Sequence, residues 1–408
     1  MAPQSTVLSI PSSQLTLSVF HQGLTIHRLL VTELDGAKGG RVNDIIPEVE
    51  DWTGKTRDFR HCIVGRYVNR LPAEKPLKLP SGGVATPQTY PASTPGVSLH
   101  GGKEGWDLRE WQPIETSTST LFSDAERKVI TSETPAPQSQ IFTYTSPDGE
   151  GGYPGTVKSE VLIALTEESF GKGGVVIVYR AALVGVDDLE TPINLTQHWG
   201  FNLDISTEKS GSSSIKSHQL TIQSSHTLDL DPKTSLPTGS LVPSDRGTSH
   251  DHREGKLIGK SYPEKGYDDF YMFDVNRDFS ENPTIFPETG LADVDYLSAV
   301  LSTTEPIGSP LVILSSTKSG LSLKFDSNQA GVQLYTAPGG GKGVKRKDLH
   351  ATEGDQDPDY GLDYGAYLEF HAPYGGFFLP ELAKSRWNTI LRKGDVYNNF
   401  VRMDIGSV

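Results

Sequence analysis

His198 and Glu369 are the residues of this chain whose type and setting most invite chemistry. Each interrupts a run that otherwise reads as buried strand: Asn194-LTQHWGFNL carries the imidazole and Tyr367-LEFHAP the carboxylate. Flanked by Tyr367, Leu368 and Phe370, Glu369 must either be paired or have its pKa raised by burial. An imidazole and a carboxylate converging on a ligand suffice for general acid and base catalysis, each worth roughly 10² to 10⁴ in rate when its pKa lies near the working pH. Such chemistry requires no metal, nucleophile or redox cofactor, and none is expected. The competing readings are structural: a hydrogen-bonded core histidine for His198 and a buried ion pair for Glu369. Two further segments, Gly65-RYVNRL and Ser98-LHGGKEGWD, also set polar residues where strands give way to loops.

The elements that must position these groups are strands. Short runs rich in Val, Ile, Thr, Tyr and Phe recur between Gly, Pro, Ser and Asp, as in Gln140-IFTYT, Val157-KSEVLIALT, Val175-VIVYRAALV and His218-QLTIQ. Pro310-LVILSST, Leu321-SLKF, Val332-QLYT and Ala366-YLEF continue the pattern towards the C-terminus. The stretch from Val175 to Val184 is nearly continuous apolar, which predicts a strand covered on both faces. Helices are expected at Asp293-VDYLSAVLS and at Pro380-ELAKSRWNTILRK, the second opening with Pro and Glu as a helix start should. No βαβ rhythm appears, so the sheets should be antiparallel. No propeller or solenoid period is visible. The reading is all-β: one large antiparallel β-sandwich domain spanning residues 1–408, with few short helices. The first 60 residues give strand-like runs such as Leu15-TLSVF but no role.

Composition narrows the function classes. A formal charge of −14 repels polyanions, so neither nucleic acid nor an anionic membrane is an expected partner. The single cysteine, Cys62, cannot close an intramolecular disulfide, which fits a reducing compartment. The start MAPQSTVLSIPSSQLTLSVF has neither a basic n-region nor a continuous apolar core, and no run approaches the length of a membrane helix. A cytoplasmic location is expected. The sequon Asn194-Leu195-Thr196 lies inside an apolar strand pattern and reads as chance. Pro338-GGGKGVKRK lacks the spacing of a phosphate-binding loop and reads as a solvated hairpin loop. Asp355-QDPDYGLD is interrupted by Pro358 and has Ala366 at the twelfth position, where a calcium loop needs Glu.

The order and wording of these segments resemble the aldose 1-epimerase family. Gly65-RYVNRL is similar to its GRxxNRI segment, Ser98-LHGG to its LHGG turn and Ser146-PDGEGGYPG to its SPDGEEGYPG loop. Thr191-PINLTQHWGFNL resembles TPVNLTNHxYFNL, Gly266-YDD the G-F-D segment, Gly331-VQLYT the GVQFYT strand and Tyr367-LEF the C-L-E strand. The resemblance runs from about Val64 to the C-terminus. It implies a mutarotase of the galactose mutarotase-like β-sandwich fold, interconverting the α and β anomers of a free aldohexose. In that scheme Glu369 takes the proton from the C1 hydroxyl and His198 protonates the ring oxygen. His100 would sit near that oxygen, and Asn69, Arg70, Asp268 and Gln333 match the hydroxyl-binding positions. Trp199 or Trp106 could offer an apolar face to the sugar, against a plain packing role.

Three departures adjoin the expected pocket: Gly200 where the family has Tyr, Asp269 where it has His, and Phe370-His371 after the carboxylate where it has Gln and then an aromatic residue. They leave the acid and base in place and the preferred sugar open. Alternatives remain: a weakly catalytic or non-catalytic carbohydrate-binding protein, a hexose 6-phosphate mutarotase using Lys103 or the 342–347 basic loop, and a glycosidase pairing Asp268 with Glu369. Monomer and homodimer are both compatible with the sequence.

Overall fold

A computed structural model of the chain describes residues 3–13, 15–33, 41–92, 94–131, 138–167, 172–185, 189–208, 213–274, 281–302, 307–351, 359–383 and 387–408. Among the described residues a ten-stranded sheet is the largest element. At its centre, Thr156–Thr166 and Gly173–Val184 pair antiparallel, and Gly173–Val184 pairs on its other edge with Asp395–Ser407. The alternation of these strands explains their unbroken apolar character. Val161, Ile163, Leu165, Val175, Ile177 and Tyr179 enter the main core, whereas Leu162, Ala164, Val176 and Val178 enter a second one on the opposite face. Both faces are dry, as the sequence predicts.

A six-stranded sheet runs Gly200–Phe201, Ala366–His371, Gly331–Tyr335, Asp268–Met272, His226–Leu230 and Pro237–Pro243. Its Val332, Leu334, Leu368 and Phe370 point into the main core shared with the ten-stranded sheet. The alternate residues are thereby turned to the other face. A four-stranded N-terminal sheet, Ser5–Ile10, Leu15–Phe20, Thr25–Glu33 and Arg41–Asp44, adds Leu8, Leu15, Leu17 and Ile26 to the same core, which extends to Ile405. Every ladder pairing between these strands is antiparallel.

Helices differ from expectation. The 293–302 segment forms only one turn, Leu297–Val300. The second begins as expected at Pro380 and is described to Ala383, but Ile390–Arg392 is a strand pairing with Glu190–Pro192. A ladder partner outweighed the helical period there. The longest described helix is Asp124–Thr131, opened by a capping box. Ser123 Oγ accepts from the Glu126 N–H at 3.0 Å, and Glu126 Oε2 accepts from the Ser123 N–H at 3.0 Å. The basic loop is not fully solvated either: Gly341–Lys345 is a strand paired with Asp359–Tyr360, and Arg346 and Lys347 are buried. Residues 355–358 of the calcium-like stretch lie outside the described residues. Asn194 of the sequon is buried, its amide bonded to the Ala372 backbone. No helix among the described residues is long and apolar enough to cross a membrane.

Candidate active site

Three rungs on the outer face of the six-stranded sheet organise the site. Within Ala366–His371, the core-facing Leu368 and Phe370 leave Tyr367, Glu369 and His371 on the opposite side. Glu369 pairs across the ladder with Gln333, and Gln333 with Phe270. One rung along, Tyr367 pairs with Tyr335, and Tyr335 with Asp268. His198 enters from just before the strand Gly200–Phe201, whose Gly200 pairs with Tyr367. Its backbone is pinned on both sides: the His198 N–H donates to Cys62 O and its carbonyl accepts from the His61 N–H, each at 2.8 Å.

Asn69 and His100 flank the short ladder of Arg70–Pro72 with Val97–Leu99. Asn69 donates its backbone N–H to His100 Nδ1 at 3.3 Å, and the His100 N–H donates to Asn69 O at 3.1 Å. Both sit at positive φ, 62° and 50°. Such conformations cost on the order of 1–3 kcal/mol and persist only where the surroundings impose them. The following Gly101 is required, since a Cβ there would lie 2.2 Å from Gly65 O.

These elements bring all seven residues singled out above into one cluster. His198 Nε2 lies 3.3 Å from Glu369 Oε1. Asn69 Nδ2 donates to Gln333 Oε1 at 3.1 Å, and Gln333 Nε2 donates to Asp268 Oδ1 at 2.7 Å. Arg70 closes the loop, donating to Asp268 Oδ2 at 2.8 Å and to Asn69 Oδ1 at 3.3 Å. The His100 ring stands edge-on to His198, with centroids 5.2 Å apart. Asp268, 43% exposed at the side chain, and Arg70 mark the open side, while Glu369 is only 2% exposed.

Burial controls the charges. It pushes the Glu369 carboxyl well above its usual range, reinforced by the nearby Asp268 carboxylate and opposed by Arg70. It lowers His198 to about 4, against smaller raising effects from its backbone and from Asp268. It also drives His100 well down, helped by the neighbouring His198 and Arg70. Burial therefore favours a neutral pair, imidazole and carboxylic acid, over imidazolium and carboxylate. The two forms hold the same single proton.

Four polar atoms here are buried with no hydrogen-bond partner: His198 Nδ1, Glu369 Oε2, His371 Nε2 and Tyr374 Oη. Buried polar groups are ordinarily satisfied, so such a concentration is what a site made for a polar ligand would leave open. His100, His198 and Glu369 each offer a ligand atom, all within 4.8 Å of one another. Two ligands bound to one zinc at about 2.1 Å lie at most about 4.2 Å apart, so these side chains would have to draw closer to hold one.

A family model described as aldose 1-epimerase matches residues 7–404. The chain belongs to the aldose 1-epimerase family. Among curated relatives, galactose mutarotase of Rattus norvegicus is 31% identical over 265 residues, covering 63% of this chain and 64% of that one. Aldose 1-epimerase of Escherichia coli is 29% identical over 234 residues, covering 54% of each. These alignments span less than two thirds of the relatives' lengths. The fold is shared more completely. A GalM/aldose epimerase homologue from C. elegans superposes with a TM-score of 0.68 at 18% identity, over 99% of this chain and all of that one. Galactose 1-epimerase from Lactobacillus acidophilus gives 0.65 at 18% identity, over 99% of this chain and 94% of that one.

Within this family member, two of the three departures read differently in three dimensions. Gly200 does not leave the wall bare: a Cβ there would lie 2.6 Å from the Tyr367 ring, so the neighbouring strand supplies the aromatic surface. Tyr367 lies 5.2 Å from the His198 ring. Asp269 is on the other face of its strand, with His250 at 3.9 Å, and touches the cluster only by accepting from the Asp268 backbone N–H at 3.2 Å. His371 does belong to the site face, stacked on Phe270 with centroids 4.7 Å apart. Trp199 packs in the core against Phe201 and Phe325, and buried Trp106 donates its indole N–H to Glu150 at 3.2 Å, so both are packing residues. Tyr367 and Tyr374 were not singled out by sequence. The alternation of Tyr367 with Glu369 was the available signal for the first, and nothing local marks the second.

Proposed function

We propose that the protein is an aldose 1-epimerase that interconverts the α and β anomers of a free aldohexose. The observation that carries this reading is the 3.3 Å approach of His198 Nε2 to Glu369 Oε1 beside the hydrogen-bonded group of Asn69, Arg70, Asp268 and Gln333. In ring opening, the Glu369 carboxylate takes the proton of the C1 hydroxyl while C1–O5 breaks. Its electron pair goes to O5, which accepts the proton of His198, and C1 becomes a carbonyl. Rotation about C1–C2 and the reverse transfers give the other anomer, with both residues returned to their starting states.

Proton count makes the pair suited to this. Glu369 gains a proton as His198 loses one, so the ring-opened state carries the neutral pair that burial favours. The closed-ring state carries the charged pair. A dry setting that brings these two forms close in energy lowers the barrier between them. Asn69, Gln333, Arg70 and Asp268 offer the mixture of donors and acceptors that a polyhydroxylated ligand needs. His100, neutral because buried, would hold the sugar near O5.

The proposal includes a single domain over residues 1–408, a cytoplasmic enzyme consistent with the free, buried Cys62, a monosaccharide substrate, and a monomer or homodimer. Polarimetry on freshly dissolved α-glucose and α-galactose tests it. Wild type should hasten the decay of optical rotation and Glu369→Gln should not. Measurable sugar affinity with no acceleration for any aldose would instead make this a carbohydrate-binding protein.

A further inference from the structure

A cleft of about 550 Å³ opens beside His198. That is within the roughly 300–1,000 Å³ of small-molecule sites. Its lining includes Tyr335, Tyr364 and Tyr367, together with Trp52, Asp58 and Arg60 from the segment before the first site residues. Among the described residues, neither Glu369, Arg70, Asp268 nor His100 reaches it. Along the site face the cleft therefore begins at the Tyr367 rung, one step from Glu369 and on the side away from His371.

The walls suit a sugar ring. Trp52 is held stacked on Phe20, with centroids 4.5 Å apart and planes 12° from parallel. Tyr364 is stacked on Tyr360 at 5.2 Å, and the Tyr367 hydroxyl donates to that of Tyr364 at 3.2 Å. Fixed aromatic surfaces beside polar groups match the apolar C–H faces and hydroxyl edges of a carbohydrate. A phosphate is less well served. Arg60 is already bound by Glu48 at 3.1 Å and Asp58 at 2.5 Å, and Lys342 and Lys345 share the cleft with the carboxylates of Asp51 and of Glu50, the latter itself paired with Arg28.

Direction follows from the proposed reaction, on which this inference rests. If Glu369 works at the C1 hydroxyl and His198 at the ring oxygen, the next atom past that oxygen is C5, which carries C6. A cleft that touches His198 but not Glu369 receives what is attached there. We propose that this cleft is a subsite for a second sugar ring linked through O6, so that reducing 1→6-linked disaccharides are substrates and Trp52 is the platform for the outer ring.

The test compares anomer exchange by NMR for glucose, the 1→6-linked gentiobiose and melibiose, the 1→4-linked maltose and lactose, and glucose 6-phosphate. Wild type should show a higher kcat/KM for a 1→6-linked disaccharide than for glucose and than for either 1→4-linked one. Trp52→Ala should lower the ratio of kcat/KM for gentiobiose to that for glucose by about fivefold, and Trp52→Phe should restore most of it. Equal use of both linkage types, preference for the 6-phosphate, or an unchanged ratio in Trp52→Ala would overturn the subsite. Should wild type exchange no sugar at all, the epimerase reading fails on its own. The subsite is then judged by calorimetry: gentiobiose binding tighter than glucose, and weakened by Trp52→Ala, upholds it, and equal binding sinks it.

Discussion

Two buried polar clusters in this molecule are built to opposite ends. Asp44 itself finds all its partners within the chain. Asp44 Oδ1 accepts from the Leu29 and Ile46 N–H groups at 3.3 and 3.2 Å, and Oδ2 is 2.9 Å from Lys347 Nζ. Lys347 also donates to His27 O and Ile46 O, while His350 bonds Asp44 O at 2.8 Å and the Tyr360 hydroxyl at 2.7 Å. Around Glu369, by contrast, carboxylate, imidazole and phenol atoms are left unpaired. The first cluster ties the basic loop to the N-terminal sheet. The second keeps its hydrogen-bonding capacity for something that arrives from outside, and accepts shifted pKa values as the consequence.

The largest effect that sharpens this contrast is on activity. Glu369→Gln keeps the shape of the side chain and removes its basicity, so anomer exchange should fall at least about 10²-fold, read by polarimetry, with the fold intact by circular dichroism. Substitution in the Asp44 cluster should do the reverse. Lys347→Ala takes its nearest cation from the fully buried Asp44 carboxylate, leaving Arg28 at 3.5 Å, and should cost about 3 kcal/mol in denaturant unfolding, while the folded fraction keeps its kcat. If Lys347→Ala abolished turnover in folded protein, or Glu369→Gln unfolded the chain, the division between the two clusters would be wrong.

A smaller effect is expected where the strands meet. Gly200→Ala places a methyl group into the Tyr367 ring, and overpacking of this kind costs about 1–3 kcal/mol. Tyr367 also packs against His198, so the variant should raise KM more than it lowers stability would suggest. Tyr367→Leu removes that ring at its own cost in KM, so adding Gly200→Ala to it should change KM little further, and this non-additivity would trace the effect to the ring. Additive effects in the double variant would mean that the two residues do not share one wall.

Much of the site was legible because its residues break strand patterns. A carboxylate between Leu368 and Phe370 and a histidine before Trp199 stand out by hydropathy alone, and chain order then linked them to a family. What was not legible depends on register or on distant packing. Tyr367 reads as one more aromatic strand residue until the ladder sets it opposite Gly200 and beside His198. Asp269 reads as a neighbour of Asp268 until alternation turns it to the other face. Lys347 reads as solvated because its partner Asp44 lies 303 residues away. The segment carrying Trp52 and Arg60 has no periodicity of its own, and only the cleft shows what it faces. Ile390–Arg392 follows a good helix start yet pairs as a strand, a choice made by Glu190–Pro192.

The finest test uses proton linkage to separate the clusters. The Glu369 carboxyl is raised in the folded chain, so above the usual carboxylate range the unfolded chain releases a proton that the native one retains. Its contribution to stability is therefore full at low pH and is lost as pH rises towards the folded pKa. His198 acts in the opposite sense: lowered from 6.5 to about 4, it costs stability as pH falls through that interval. Glu369→Gln removes the first effect and leaves the second. Its melting temperature should match that of wild type near pH 4 and exceed it increasingly towards pH 7, each kcal/mol shifting Tm by about 2–4 °C in a large domain. A constant difference across that range would mean that Glu369 is not held protonated by its surroundings. The same single-proton pair should give a bell-shaped kcat/KM profile, its acid limb from the second proton taken up by the pair and its alkaline limb from loss of the first. A profile flat to acid pH would remove His198 from the pair.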